Sequence, residues 1–147
     1  MSPIIHVVRG LPGSGKTTTA RRLAAHGAVH VQLDVHRRAV WPDCPAAWDP
    51  FTGRGLDVQA AFEDELRAAL AAGRDAIADR TNLNPAGPHR LRALTAEHGA
   101  RIVVHDLTHV PLAVCIQRDA ARPADTHVGP GAIRDLHGRW INRKETP

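Results

Sequence analysis

A length of 147 residues suits one domain with a single buried core, and two Phe, three Trp and no Tyr make that core aliphatic and disfavour a module that stacks bases on an aromatic platform. The formal charge of +4 fits either an Arg-rich solvated surface or a polyanionic partner, so charge alone does not choose between them. Cys44 and Cys115 form neither a CxxC pair nor a zinc spacing, and the sequence holds no stretch of transmembrane length and no leader pattern, so reduced thiols and a cytoplasmic protein without membrane contact are expected.

In chain order, the β-branched run Ile4–Val8 predicts a buried parallel strand, followed by the glycine-rich turn Gly10–Gly15 and a helix over Thr17–His26 that stops at Gly27. Val29–Leu33 predicts a second strand ending at Asp34. The segment from Trp41 to Gly55, with its Pro, Gly, Trp41 and Trp48, reads as an irregular excursion and not a second domain. Val58, Ala61, Phe62, Leu66, Ala69 and Leu70 recur at helical spacing and predict a helix over Asp57–Ala72, closed by Gly73. Asp75–Asp79 is a short third strand. Asn84 caps a helix that starts near Pro85 and turns Leu91 and Leu94 inward, and Arg101–Leu107 is a fourth strand. His105 and His109 are four apart, but His105 lies on that strand, where the spacing makes no helical ligand pair. Pro111 opens a helix through Arg118, Asp119–Gly131 is polar and expected to be mobile, Ile133–Trp140 is a last helix, and Asn142–Pro147 is expected to be loose. Alternating strands and helices predict an α/β fold in which a parallel sheet is covered on both faces, with ligands at the carboxyl ends of the strands. Gly10, Asp34, Asp79 and the start of the loop after Leu107 would share that rim.

Gly10-Leu11-Pro12-Gly13-Ser14-Gly15-Lys16-Thr17 matches the phosphate-loop pattern G-x-x-x-x-G-K-[ST] at every fixed position, with a strand before it and a helix after it. Glycines let backbone N–H groups turn toward phosphate oxygens, and the helix N-terminus adds partial positive charge. The pattern implies a nucleoside triphosphate, such as ATP, held with Mg²⁺. Lys16 would reach the β- and γ-phosphates, the Thr17 hydroxyl would bind the ion, and Gly10, Pro12, Gly13, Ser14, Gly15, Thr18 and Arg118 would complete the nucleotide contacts.

Asp34 is a candidate to accept the proton of an attacking hydroxyl or to help hold Mg²⁺, against the plainer role of capping the Val35–Val40 turn. Arg37 and Arg38, one helical turn later, are candidates to clamp an acceptor phosphate, against a merely solvated basic face. Asp79, at the end of the third strand, is the candidate second acid for Mg²⁺ or its waters, against a capping role for the turn that follows. Arg118 and Arg122 sit one helical turn apart at the edge of the polar segment, where a lid arginine would neutralise charge on a transferring phosphoryl group. The alternative is a surface ion pair with Asp119 or Asp125.

Taken together, Gly10–Thr17, Leu33-Asp34-Val35-His36-Arg37, Asp79-Arg80-Thr81-Asn82-Leu83-Asn84-Pro85, Val110-Pro111 and Arg118-Asp119-Ala120-Ala121-Arg122 resemble the phage-type polynucleotide 5′-kinases of the P-loop kinase superfamily. The resemblance implies an adenylate-kinase-like three-layer sandwich with a C-terminal lid, and transfer of the ATP γ-phosphate to the 5′-hydroxyl of RNA or DNA. It also implies Asp34 as general base, Arg37 on the acceptor-strand phosphate and Arg122 on the transferring phosphate. Repair partners would act in trans, because neither a phosphatase nor a ligase segment is attached. The phage enzyme carries its acid directly before Thr-Asn; Arg80 stands there in this chain, and Asp79 is one position earlier, as in many small-molecule kinases. A kinase for an antibiotic, sugar or nucleoside is therefore the alternative, and a nucleotide switch without transfer is the non-enzymatic one.

Overall fold

The computed structural model of the chain, which describes residues 2–45 and 48–142, contains a four-stranded, all-parallel sheet in the order β2-β3-β1-β4. The strands are β1 (Ile4–Arg9), β2 (Val29–Gln32), β3 (Ala76–Asp79) and β4 (Arg101–Asp106). The helices are α1 (Lys16–Ala25), α2 (Leu33–Val40), α3 (Arg54–Ala71), α4 (Ala86–His98), α5 (Leu112–Ala120) and α6 (Pro130–Leu136), the last continued by a π-helical turn over His137–Ile141. The expected α/β class and parallel sheet are thus what the chain adopts.

Side chains alternate across the sheet and fill two layers. Ile5, Val7, Val31, Ala76 and Ala78 face α3 and α4, where Phe62, Leu66, Leu91 and Leu94 close the larger core. Phe62 is fully buried, and truncating such a side chain costs about 3–5 kcal/mol. On the other face Val8 and Ile77 meet Ala20 and Leu23 of α1. A third cluster of Leu11, Leu83, Cys115 and Ile133 joins the glycine-rich turn to α5 and α6.

The strand register decides what meets at the functional rim. Val8 pairs with Asp79, Asp79 with Gln32, and Arg9 with Asp106. The carboxyl ends therefore stand level, and the segments that follow them share one edge of the sheet, as doubly wound sheets require of a ligand site.

Several boundaries differ from expectation for physical reasons. β2 stops at Gln32, and Leu33 begins a helix, so Asp34 lies in the first turn of α2 and not at a strand end. Leu33 packs against the main core, while His36 bonds Glu65 of α3 (2.7 Å) and meets Phe62 edge-on, so tertiary contacts convert the expected turn into a helix. The α3 helix starts at Arg54, three residues early, because turns from Thr52 to Gly55 and from Gly53 to Leu56 wind directly into it. The stretch between α5 and α6 holds a 3₁₀ turn over Ala124–Thr126, and α6 begins at Pro130, whose fixed φ suits a first helical position. Of the expected loose terminus, residues 143–147 lie outside the described residues.

Candidate active site

The glycine-rich turn is clamped from two sides. Gly10 N–H donates to the Thr81 carbonyl (3.0 Å), and Leu11 and Pro12 are buried. Gly13 has φ +84°, and a Cβ there would collide with the Cys115 carbonyl oxygen, so only glycine lets α5 press against the loop. A Cβ on Gly10 would stand 2.5 Å from Ser14 Oγ. That hydroxyl is buried without a hydrogen-bond partner among the described residues. Helix α1 starts behind Gly15 with no side-chain cap and no acidic residue in its first turn. Its leading N–H groups lack intrahelical acceptors, so the cradle presents donors and partial positive charge to an anion. An unpartnered hydroxyl inside such a loop fits a phosphate.

Lys16 donates through Nζ to the Leu11 carbonyl (2.9 Å), folded back over its own loop. Desolvation lowers its pKa from 10.5 to about 8; Asp79 opposes the shift, Arg122 adds to it, and Cys115 and Asp34 oppose it in turn. Fields from Asp79, Arg122 and Asp34 thus converge on one ammonium, although these residues come from three distant parts of the chain. Thr17 and Thr18 are exposed on the first turn of α1, open to the rim.

Asp79 ends β3, half-buried, and His30 Nε2 lies 2.7 Å from its Oδ2. The sequence reading missed His30, because nothing local signals a partner 49 positions away. The carboxylate of Asp79 and the hydroxyl of Thr17 are hard oxygen donors of the kind Mg²⁺ takes. The side chain of Asp34 is 74% exposed, and its Oδ1 is 4.0 Å from Arg37 Nε. It therefore points away from the core into solvent, with Arg37 beside it and Arg38 exposed one residue on.

Arg80 takes no place at the rim. It is buried beneath it, stacked on Phe62 (4.8 Å), donating to Asn82 Oδ1 (2.7 Å) and to Gln59 Oε1. Desolvation lowers its pKa to about 10 against the pull of Glu63, while Arg90 pushes with the burial. Asn82, at φ +54°, donates to the carbonyls of Val8 (2.7 Å), Ala78 (3.1 Å) and Arg80 (3.1 Å). It ties the ends of β1 and β3 together beneath the phosphate loop. Asn84 Oδ1 accepts the Ala86 N–H (3.0 Å) at the start of α4, as expected of a cap.

On the opposite wall, Arg118 Nη1 comes within 3.9 Å of where a Cβ on Gly15 would stand, so α5 brings this guanidinium to the loop. Arg122 Nη1 lies 3.8 Å from Asp119 Oδ1. The pairing is not the surface contact its alternative role assumed. Asp119 is buried and accepts the N–H groups of Val128 and Gly129 (3.0 Å each). His127 closes the same loop against the Arg122 carbonyl. The expected mobile segment thus has a fixed anchor at each end.

Among the described residues no helix is long and apolar enough to cross a membrane. A family model described as an AAA domain matches residues 5–139. Among solved structures, a chain of the Pnkp1/Rnl/Hen1 RNA repair complex superposes with a TM-score of 0.72 at 23% identity, covering 93% of this chain and 43% of that one. A second Pnkp1/Rnl/Hen1 complex gives a TM-score of 0.66 at 24% identity, over 79% of this chain and 38% of the other. This chain therefore spans about two fifths of the length of those two. A gluconokinase from Sinorhizobium meliloti 1021 gives 0.63 at 18% identity, over 99% of this chain and 79% of that chain. No curated protein sequence matches. With the phosphate loop, the parallel sheet and a family match over nearly its whole length, the chain belongs to the AAA domain family.

Proposed function

We propose that the protein transfers the γ-phosphate of ATP, or of another nucleoside triphosphate, to the 5′-hydroxyl end of RNA or DNA. The observation that carries this reading is the outward-facing Asp34 carboxylate, flanked by Arg37 at 4.0 Å, on the same rim as Lys16 and Asp79. In the proposed step Asp34 accepts the proton of the 5′-hydroxyl as its oxygen bonds to the γ-phosphorus, and the bond to the β-phosphate oxygen breaks to release the nucleoside diphosphate. Lys16, the loop N–H groups and Arg118 hold the donor phosphates. Arg122 neutralises charge on the moving phosphoryl group, acting from a lid formed by the segment after α5. Arg37 and Arg38 hold the first phosphate of the acceptor strand. Thr17 and Asp79 would hold Mg²⁺, which when bound offsets negative charge between the β- and γ-phosphates. The likeness to chains of an RNA repair complex supports the nucleic-acid acceptor and partners in trans.

A second reading has a specific observation behind it. The acid stands at Asp79 and not beside Thr81, and the gluconokinase likeness runs over 99% of this chain, which favours a small hydroxylated acceptor. Incubation with labelled ATP and Mg²⁺ separates the two. We expect label on a 5′-hydroxyl oligonucleotide, loss of transfer in Lys16→Ala, and about a hundredfold or greater loss of kcat in Asp34→Asn with nucleotide affinity kept. Label on a sugar or nucleoside but on no oligonucleotide would overturn the first reading in favour of the second.

A further inference from the structure

Two of the three tryptophans stand outside all three apolar clusters. Trp41 and Trp48 meet edge to face at 6.1 Å, and the Arg54 guanidinium lies 5.4 Å over the Trp41 ring. Arg54 also donates to the Val40 carbonyl (3.2 Å), which fixes it beside the end of α2. All three aromatic or planar groups therefore gather where α2 stops, and both indoles keep part of their surface in solvent.

Their position along α2 gives the cluster meaning. Trp41 N–H bonds the Arg37 carbonyl (2.8 Å), so Trp41 closes the last helical turn. Asp34, Arg37 and Arg38 fall at i, i+3 and i+4 along one side of α2, and Trp41 follows them as the C-cap, with φ −137° outside the helical region. Leu33 packs on the core and His36 reaches Glu65 and Phe62, and these contacts hold the helix to the rest of the fold. From Asp34 onward the chain thus carries, in order, an exposed carboxylate, a partly buried and an exposed guanidinium, and a partly exposed indole. A single strand presents the same order at its end: a hydroxyl, then a phosphate, with the nearby bases free to stack.

We propose that Trp41, braced by Trp48 and Arg54, is a stacking subsite for a nucleobase near the 5′ end of the acceptor strand. The inference rests on the polynucleotide reading above and adds to it a specificity element with no part in nucleotide binding. An indole carrying an exposed arginine is a surface that any base can share, because every base has a π-face and arginine stacks as well as pairs. The subsite would therefore favour strands with bases at their end without choosing among sequences, and it would discriminate against acceptors that lack an aromatic ring.

The test is steady-state kinetics with saturating ATP on a 5′-hydroxyl oligonucleotide and on the same strand made abasic at its two 5′-terminal positions. For the wild-type protein we expect the abasic strand to show a KM about tenfold higher. In Trp41→Ala we expect the KM for the intact strand to rise to that level, the abasic penalty to vanish, and Trp41→Phe to restore most of both. A purely structural role for Trp41 would weaken both strands alike and keep the penalty. Trp48→Leu serves as a second variant if Trp41→Ala is poorly folded, and should reduce the penalty in part. An unchanged KM in Trp41→Ala, or an abasic penalty that survives in both variants, would overturn the subsite alone. Failure of the wild-type protein to phosphorylate any oligonucleotide would remove the polynucleotide reading and the subsite together.

Discussion

Lys16 shows how one residue links the fold to pH. Its pKa near 8 arises chiefly because the surrounding loop strips water from the ammonium. An anion in the cradle favours the charged form, so nucleotide binding must take up a proton whenever the free protein has already lost it. Affinity should therefore be flat below about pH 8 and fall by up to tenfold per unit above it, with net proton uptake visible by calorimetry in buffers of different ionisation enthalpy. The sign for stability is opposite. Between about pH 8 and 10.5 the unfolded chain holds a proton that the folded chain has released, so this group makes the fold more stable as pH rises through that window. An affinity independent of pH from 7 to 9.5 (the range flanking about 8) would contradict the desolvated lysine. Legibility at this scale followed covalent neighbourhood. The phosphate loop was readable because eight consecutive residues make it, whereas the His30–Asp79 and Arg80–Gln59 pairs join residues far apart and left no local pattern. Asn82 was readable as part of a motif, but its work of tying β1 to β3 needed the fold.

At the scale of elements, the segment between α5 and α6 is organised by a single buried carboxylate. Asp119 accepts two N–H groups from the far end of the loop and faces Arg122 at its near end. Replacing it by Ala leaves both donors without their acceptor, a loss of about 2 kcal/mol, and frees the arginine proposed to act on the moving phosphoryl group. Asp119→Ala should lower kcat about tenfold or more while changing ATP affinity little. If Asp119 acts by orienting Arg122, the loss in the double variant with Arg122→Ala should be no greater than in Arg122→Ala alone. Additive losses in that cycle would show that the carboxylate serves the loop only. Elements whose cause is local were legible: β1, β3 and β4 from β-branched or apolar runs, α3 from its repeating apolar face, and α4 from its Asn84 cap. Helix α2 was read as a turn because it is eight residues long, starts behind an uncapping Gln32 and buries no residue fully. Its stability comes from α3 through His36, which no reading of its own residues reveals.

For the whole molecule, the parallel sheet and its functional rim followed from the alternation of strand and helix. The level carboxyl ends, however, depend on a register that only the assembled sheet displays. The net charge of +4 was equally uninformative until the arginines acquired positions. Arg37 and Arg38 lie on α2 with Asp34, while Arg118 reaches the phosphate loop from α5 and Arg122 pairs with Asp119 just after it. This division makes salt a discriminator between acceptors. A single strand that gives up about two counterions to Arg37 and Arg38 should show log KM rising with log salt at a slope of about 1.4, measured with ATP saturating so that the donor side does not contribute. Arg37→Gln should reduce that slope by about 0.7 and raise KM similarly for every strand sequence, because a phosphate contact carries no base information. An uncharged sugar would show almost no slope under the same conditions. A polynucleotide KM that ignores salt would mean that the basic stripe of α2 does not touch the acceptor, and the direction of the strand across the rim would have to be drawn anew.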